Sequence, residues 1–478
     1  MAELIAFCNN TIANLSDLLS LPEPALRFLI AVLAGFPLAF FQRSFLHGKS
    51  ATLHHAYFVI CGLMLSYFNY GAESLHSASS VFINYLLIYF AGGTDISIII
   101  SFIFNMGYLV TGYIYTATDT YDITWTMPHC ILTLRLIGLN FDVYDGSRPP
   151  EEISNDQKMT MLVKKPSLLE IAGYTYYFGG FFSGPQFPMR RYFDMCNGVL
   201  TDGAKGERPN CVAAAMKKLA LGTVLSILNT VIVPWIPESY FLTNDFAELE
   251  FYKRLLVLAA WSNMTLFKYM LIWCFAEGTC ILSGLAYNGR DKDGNALWDA
   301  CENIKMFRFL FNPSFRSIVK TFNTNTNQWV LRYVYKRLKF LGNRKISQAC
   351  TLFFLALWHG LSSGYYMTFM MEFVITNVED KMVEVANKTG LIKLMDNPIT
   401  KVPTYLVCKL WQLTFMGYPL LAFNLLTWRR QVQAYSAVYW CGHIFYMVLF
   451  PALYIFVLNP LLTKPKPKSD VGTKPKAE

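Results

Sequence analysis

The sequence predicts an all-α polytopic membrane protein, and three observations carry that prediction. Hydrophobic residues fill 54% of the 478 positions and aromatic residues 16%, while only 15% are charged. Mean hydropathy is +0.32. Apolar runs of about 17–25 residues recur from end to end, the length at which an α-helix crosses a hydrocarbon core. A soluble chain of this size needs far more charge to cover its surface.

In chain order the runs fall at 26–41, 54–70, 79–91, 96–115, 216–236, 253–286, 346–371, 404–427 and 438–460. With re-entrant segments counted, they amount to roughly nine to eleven helices. The 253–286 run is long enough for a broken or doubled helix. Several runs are short or carry Gly, Pro, Asn or Lys, which suits a bundle around a polar interior better than a simple ring facing lipid. No basic region or small-residue cleavage site precedes the first run near Leu26, so insertion is expected through an internal helix.

Three polar stretches interrupt these runs. Residues 140–168 read as an aqueous loop, as do 196–211. Residues 287–345 mix charges with many aromatics and are expected to lie in the membrane plane or to line a cavity. No repeat of 20–50 residues is visible, which excludes a solenoid. The chain therefore reads as one membrane domain, 1–463, with a basic tail, 464–478.

The net charge of +9 is concentrated in "RYVYKRLKFLGNRK" (332–345) and in the tail. That balance points to anionic lipid surfaces or a phosphate-bearing substrate. Nucleic acid is not expected as a partner, because no fold for it is recognisable and the basic residues adjoin apolar spans. Eleven cysteines lack the paired short spacings of a zinc site or a disulfide scaffold, so no metal is expected and most read as small buried apolar residues.

Chemistry is sought in the interior. His359 sits in "FLALWHGLSSGYYMTFMMEF" (354–373). If 346–371 is one helix, this histidine lies roughly 18–20 Å from each end, near the bilayer midplane. An imidazole at that depth needs a hydrogen-bond partner or a hydrated cavity. The alternative to a functional role is a structural histidine bonded to a neighbouring helix. Gly360, Ser362, Ser363 and Gly364 leave room for something to approach. Upstream, "FNTNTNQW" (322–329) puts Asn323, Thr326 and Asn327 at i, i+3 and i+4, an amide-rich helical face continued by Val330. Amides at that density are costly unless they bind one another, water or a ligand.

The other histidines compete less well. His47, His54 and His55 occupy positions typical of an interface, and His76 lies in a turn-like region. His129, after Pro128, is the main rival, and His443 a weaker one. There is no HxxxH or HExxH pattern and no GxSxG elbow.

The "LWHG" histidine, with the amide-rich segment thirty-six residues upstream of it, resembles the membrane-bound O-acyltransferase family. Five stretches are similar to its lysophospholipid-acylating branch: "WTMPHCILTLRLIGL" (125–139), "PSLLEIAGYTYYFGGFFSGPQF" (166–187), "WDACENIK" (298–305), "KRLKFLGNRKISQ" (336–348) and "FLALWHGLSSGY" (354–365). The similarity runs from about Leu26 to Phe445.

The resemblance implies around eleven transmembrane helices about a reaction chamber, in the endoplasmic reticulum. It implies transfer of a long-chain, preferably polyunsaturated, acyl group from acyl-CoA to the sn-2 hydroxyl of a 1-acyl lysophospholipid with a choline, ethanolamine or serine head. The family histidine maps onto His359 and the family asparagine onto Asn323, with Asn325 and Asn327 close rivals. Acyl-CoA is a substrate, and no separate cofactor is implied.

Those residue types suit the reaction. A neutral imidazole can take the proton of a hydroxyl as it attacks a thioester, and an amide N–H can serve the oxyanion or orient the hydroxyl. The basic run Arg332, Lys336, Arg337, Lys339, Arg344 and Lys345 is a candidate for the CoA phosphates, Lys336, Arg337 and Lys339 foremost, against the alternative of a positive anchor at lipid headgroups. Trp298 and Asp299 are candidates for the chamber entrance. Lys474 and Lys476 in the terminal "KPKAE" resemble a cytosolic KxKxx retrieval signal. If 346–371, 404–427 and 438–460 all cross fully, the basic stretch and the tail fall on opposite sides, so one run is expected to be re-entrant or in-plane unless the positive-inside rule fails locally.

Other readings remain at this level. They are an acyltransferase with a sterol, diacylglycerol or protein acceptor, a transporter, whose paired halves are not visible, and a scaffold. A homo-oligomer is an open alternative.

Overall fold

Six helices open the chain in the computed structural model, which describes residues 2–19, 21–118, 123–202 and 207–463. They are α1 (Ala2–Leu19), α2 (Glu23–Phe41), α3 (Ala51–Tyr70), α4 (Ser74–Ala91), α5 (Asp95–Thr116) and α6 (Thr126–Gly146). α5 shows how the sequence makes a membrane helix. Its Ser97, Ser101 and Asn105 are buried, whereas Ile96, Ile99, Ile100 and Ile103 are 47–66% exposed. Polar groups turn inward to find partners and apolar ones turn toward lipid. The inward partners are amides: Asn84 of α4 and Asn105 of α5 exchange side-chain hydrogen bonds of 3.0 Å, and Asn140 of α6 donates to Asn84 at 3.2 Å.

α6 is buried along most of its length, a helix enclosed by protein on every side. This corrects the expectation of an aqueous loop from residue 140. Asn140, Asp142 and Asp145 belong to α6 and are 1% exposed. They read as loop residues because a polar group facing a protein interior has the same hydropathy as one facing water.

Arg135 of α6 is also 1% exposed. Its guanidinium donates to four backbone carbonyls, those of Tyr174, Thr175, Gly180 and Pro185, at 2.6–3.2 Å, and lies over the rings of Tyr174 and Phe187. It thereby holds the irregular stretch between α7 (Leu168–Thr175) and α8 (Met189–Cys196) against α6. Arg135→Met leaves those carbonyls unpaired in the interior. We expect it to destabilise the protein by on the order of 3–5 kcal/mol, read as a fall in melting temperature in detergent. An unchanged melting temperature would refute this role.

The 253–286 run is doubled, as expected. After α9 (Val212–Ile232) it forms α10 (Phe251–Met264) and α11 (Phe267–Ser283), interrupted at Thr265 and Leu266. α11 packs on α9 and α2. The region 287–345 contains short helices, among them α12 (Phe315–Thr321) and α13 (Thr324–Val330). The last part comprises α14 (Arg344–His359), α15 (Ser363–Thr389), α16 (Pro398–Leu425) and the stretch Cys441–Leu462, which alternates α and π turns.

The 346–371 run is not one helix. α14 ends at His359, Gly360 adopts φ +142°, and α15 folds back along α14. Phe353 meets Tyr366, and Lys345 at the start of α14 borders the same groove as Phe373 and Asn377 of α15. Gly360 is required twice, because its φ disfavours a side chain and a Cβ there would come within 2.8 Å of the Tyr365 ring. Gly364 serves another close approach: its Cβ would lie 2.0 Å from the Ala422 carbonyl of α16. These small residues serve the turn and the helix contact rather than opening room beside the histidine.

Among the described residues, seven stretches are long and apolar enough to cross a membrane: Glu23–Leu46, Ala51–Ala91, Asp95–Thr116, Val212–Leu242, Phe251–Ser283, Pro398–Leu425 and Cys441–Leu462. The α14–α15 hairpin is not one of them. Two such stretches, Pro398–Leu425 and Cys441–Leu462, lie between the basic residues 332–345 and residue 463. Cys196, Cys211, Cys274, Cys280 and Cys301 are buried, while Cys350 and Cys408 are exposed.

Candidate active site

The histidines sort by their partners. His54 and His55, expected at an interface, are 1% and 3% exposed, and each Nδ1 has a side-chain partner, Gln42 at 3.3 Å and the Tyr192 hydroxyl at 2.7 Å. His76, expected in a turn, lies in α4 and is bonded to Tyr108 at 2.8 Å. His443 is bonded to Tyr418 at 2.7 Å. The His129 ring nitrogens make no hydrogen bond among the described residues, but the residue is 1% exposed and enclosed by the rings of Tyr108 and Trp125. A base sealed that way cannot reach a substrate.

His359 is different. It is the last residue of α14, about 22 Å along the axis from Arg344. Four rings surround it: Trp358, Tyr365, Phe369 and Phe423, with centroids 4.6, 5.7, 5.4 and 5.1 Å away. The residue is partly buried, and neither of its ring nitrogens makes a hydrogen bond among the described residues. The preceding residue is locked, with Trp358 Nε1 donating to the Cys130 carbonyl at 2.8 Å and the Tyr113 hydroxyl donating to the Trp358 carbonyl at 2.7 Å. The carbonyl end of α14 also favours the cation formed when the ring takes a proton.

The amide-rich segment does not form the continuous face expected of it. Asn323 precedes α13 with φ +50° and ψ +45°, a left-handed conformation that asparagine tolerates better than most residues. The backbone is fixed on both sides of it: Lys305 N–H donates to the Thr321 carbonyl and Thr324 N–H to the Asn303 carbonyl, each at 2.9 Å. Two neighbouring amides are used internally. Asn327 Nδ2 donates to the carbonyls of Val319 and Phe322 at 2.6 and 3.0 Å, and Asn325 Nδ2 to the Cys301 carbonyl at 3.2 Å. The Asn323 side chain makes no hydrogen bond among the described residues and is half-buried.

No hydrogen bond joins Asn323 to His359, yet one face of α15 meets both neighbourhoods. Tyr365 and Phe369 contact His359, and Glu379 on the same face accepts from the backbone N–H groups of Phe315 and Arg316, each at 2.7 Å, at the start of α12. Phe322, beside Asn323, packs on Tyr269 and Trp273 of α11.

A profile described as the membrane-bound O-acyltransferase family matches residues 110–405, which contain both Asn323 and His359. The chain belongs to that family. Relatives at full length agree. The chain is 41% identical over 445 residues to lysophospholipid acyltransferase 5 of Rattus norvegicus, covering 93% of this chain and 91% of that one. The Homo sapiens protein of the same name is 42% identical, covering 91% and 90%, and that of Caenorhabditis elegans is 35% identical, covering 95% and 96%. The protein is thus a multi-pass membrane O-acyltransferase.

In this acyltransferase two of the basic candidates, Lys336 and Arg337, have internal partners. Arg337 binds Asp145 of α6 with both carboxylate oxygens, at 2.9 and 2.5 Å, and Lys336 pairs with Asp156. Lys339, Arg344 and Lys345 are exposed and form no salt bridge among the described residues. Trp298 packs on Tyr287, and Asp299 accepts from Asn288 at 2.9 Å, in a loop whose neighbour Asp202 is held below the usual carboxylate range by Tyr287 and Arg290. Their partners are thus not residues around His359. Lys474 and Lys476 lie outside the described residues.

Sequence reasoning missed the support beneath Asn323. Glu277 of α11 accepts from Asn303 N–H at 2.6 Å and pairs with Lys218 of α9 at 2.6 Å, while Asn303 Oδ1 accepts from Asn325 N–H at 3.1 Å. The signal was present, since an acid inside an apolar run marks a functional interior.

Proposed function

We propose that the protein transfers a fatty acyl group, preferably polyunsaturated, from acyl-CoA to the sn-2 hydroxyl of 1-acyl lysophosphatidylcholine. Lysophosphatidylethanolamine and lysophosphatidylserine are further acceptors, in the remodelling of membrane phospholipids. The observation that carries this reading is His359: an imidazole at the C-terminal end of α14 with no hydrogen bond among the described residues. The names of the relatives supply the substrate class.

His359 accepts the proton of the acceptor hydroxyl as its oxygen attacks the thioester carbonyl. Charge develops on the carbonyl oxygen, and the free Asn323 amide donates to it. The intermediate collapses with cleavage of the C–S bond, and the proton passes from His359 to the departing CoA sulfur. The acyl-enzyme route is not needed. About eleven membrane helices around the chamber, residence in the endoplasmic reticulum, and retrieval through Lys474 and Lys476 complete the proposal.

The test is product analysis. Purified protein incubated with mixed acyl-CoAs and a panel of lysolipids should yield diacyl phospholipids, identified by mass spectrometry. Acylation of a sterol, diacylglycerol or peptide in place of every lysolipid would sink the reading.

The exposed cations give a second expectation. Replacing Lys339, Arg344 and Lys345 with glutamine should raise KM for acyl-CoA by roughly 3- to 10-fold and leave the lysolipid KM unchanged, because only the donor carries the CoA phosphates. Equal changes in both would identify a membrane anchor instead.

A further inference from the structure

Glu372 has no role in the chemistry above, and its placement is unusual. On α15, Tyr365, Phe369, Glu372, Thr376 and Glu379 recur at i, i+4, i+7, i+11 and i+14, one stripe of the helix. The ends of the stripe are accounted for: Tyr365 and Phe369 meet His359, and Glu379 is taken by the α12 backbone. Thr376 donates to the Glu372 carbonyl at 2.7 Å. The outer groove of α15 lies on the opposite side, lined by Val374, Asn377 and Val378. Glu372 thus lies on the stripe that meets His359 at one end and α12 at the other, and the residue is partly buried. Its carboxyl makes no hydrogen bond and no ion pair among the described residues.

A carboxyl group in such surroundings either keeps a proton or finds a positive partner. We infer that Glu372 binds the cationic nitrogen of the lysophospholipid head, an inference that rests on the function proposed above. Glu372 lies about 4.5 Å along the axis from Phe369 and about 10 Å from Tyr365. That reach is comparable with the separation of the sn-2 hydroxyl from the head-group nitrogen in an extended lysophospholipid. With the hydroxyl at His359, the nitrogen falls at Glu372, and the rings of Tyr365 and Phe369 offer cation–π faces along the way.

The test compares the wild-type protein with Glu372→Gln in nanodiscs. The variant should raise KM for lysophosphatidylcholine by about tenfold or more, and leave KM for acyl-CoA and the rate on lysophosphatidylglycerol, which has no nitrogen, within about twofold. Glu372→Asp should keep part of the preference for nitrogen-bearing heads. Loss of activity on both acceptors alike with a lowered melting temperature, or an unchanged KM, overturns the inference. Binding without turnover separates it from the proposed function. Hexadecylphosphocholine has a quaternary ammonium and no hydroxyl to acylate, and should raise the melting temperature of wild type but not of Glu372→Gln, while hexadecyl phosphate acts equally on both. A wild type that acylates no lysolipid yet shows this difference would overturn the proposed function and support the cation site. An active wild type with no such difference would do the reverse.

Discussion

His359→Ala should abolish acyl transfer while the protein stays folded and continues to bind acyl-CoA. That is the largest effect expected of any single substitution. Among the described residues the imidazole gives up no hydrogen bond, so the structural loss is confined to ring packing against Trp358, Tyr365, Phe369 and Phe423. With His359 as the proposed base the chemical loss should be complete, since a hydroxyl is a poor nucleophile until its proton is removed and no second histidine is placed to replace it. His54, His55, His76 and His443 are each engaged with another side chain, His129 is sealed, and His47 is exposed in the turn between α2 and α3. His359→Phe, which keeps a ring among the rings, should be equally inactive and melt closer to the wild type. Turnover at the wild-type rate in folded His359→Ala protein would end the assignment and return attention to His129.

Asn323→Ala should cost on the order of 10²- to 10³-fold in kcat, the loss that follows removal of one donor to a developing oxyanion. The neighbouring amides provide the contrast. Asn327 and Asn325 donate to backbone carbonyls around α12 and residue 301, so their alanine variants should show lowered melting temperatures, with most of the activity surviving in the folded fraction. Measuring kcat beside melting temperature for the three variants separates them. If Asn325→Ala or Asn327→Ala shows the large kcat loss at an unchanged melting temperature, the oxyanion role belongs there and not to Asn323.

Much of the fold was legible from the chain alone. Run lengths located α2 to α5, α9, α16 and the final stretch, and the doubling of 253–286 followed from its length. His359 stood out because an ionisable group inside an apolar run is expensive and needs a reason. Asn323 could be brought only into a group of three, because one-dimensional spacing cannot tell which amide the folded backbone will use.

Three features were decided only in the tertiary structure. The first is α6, whose Asn140, Asp142 and Asp145 looked like a watery loop and are instead enclosed and paired. The second is the turn at Gly360, which converts one apparent span into the α14–α15 hairpin and sets His359 at a helix end. The third is the pairing of Lys336 and Arg337 with Asp156 and Asp145, which leaves Lys339, Arg344 and Lys345 as exposed cations with no salt bridge among the described residues. The physical reason is the same in each case. Hydropathy measures what a residue loses on leaving water, so it finds the segments that enter the membrane. Whether a polar group there is bonded to a distant neighbour, left free for a substrate or turned back by a glycine depends on contacts between residues far apart in sequence, which only the folded chain brings together.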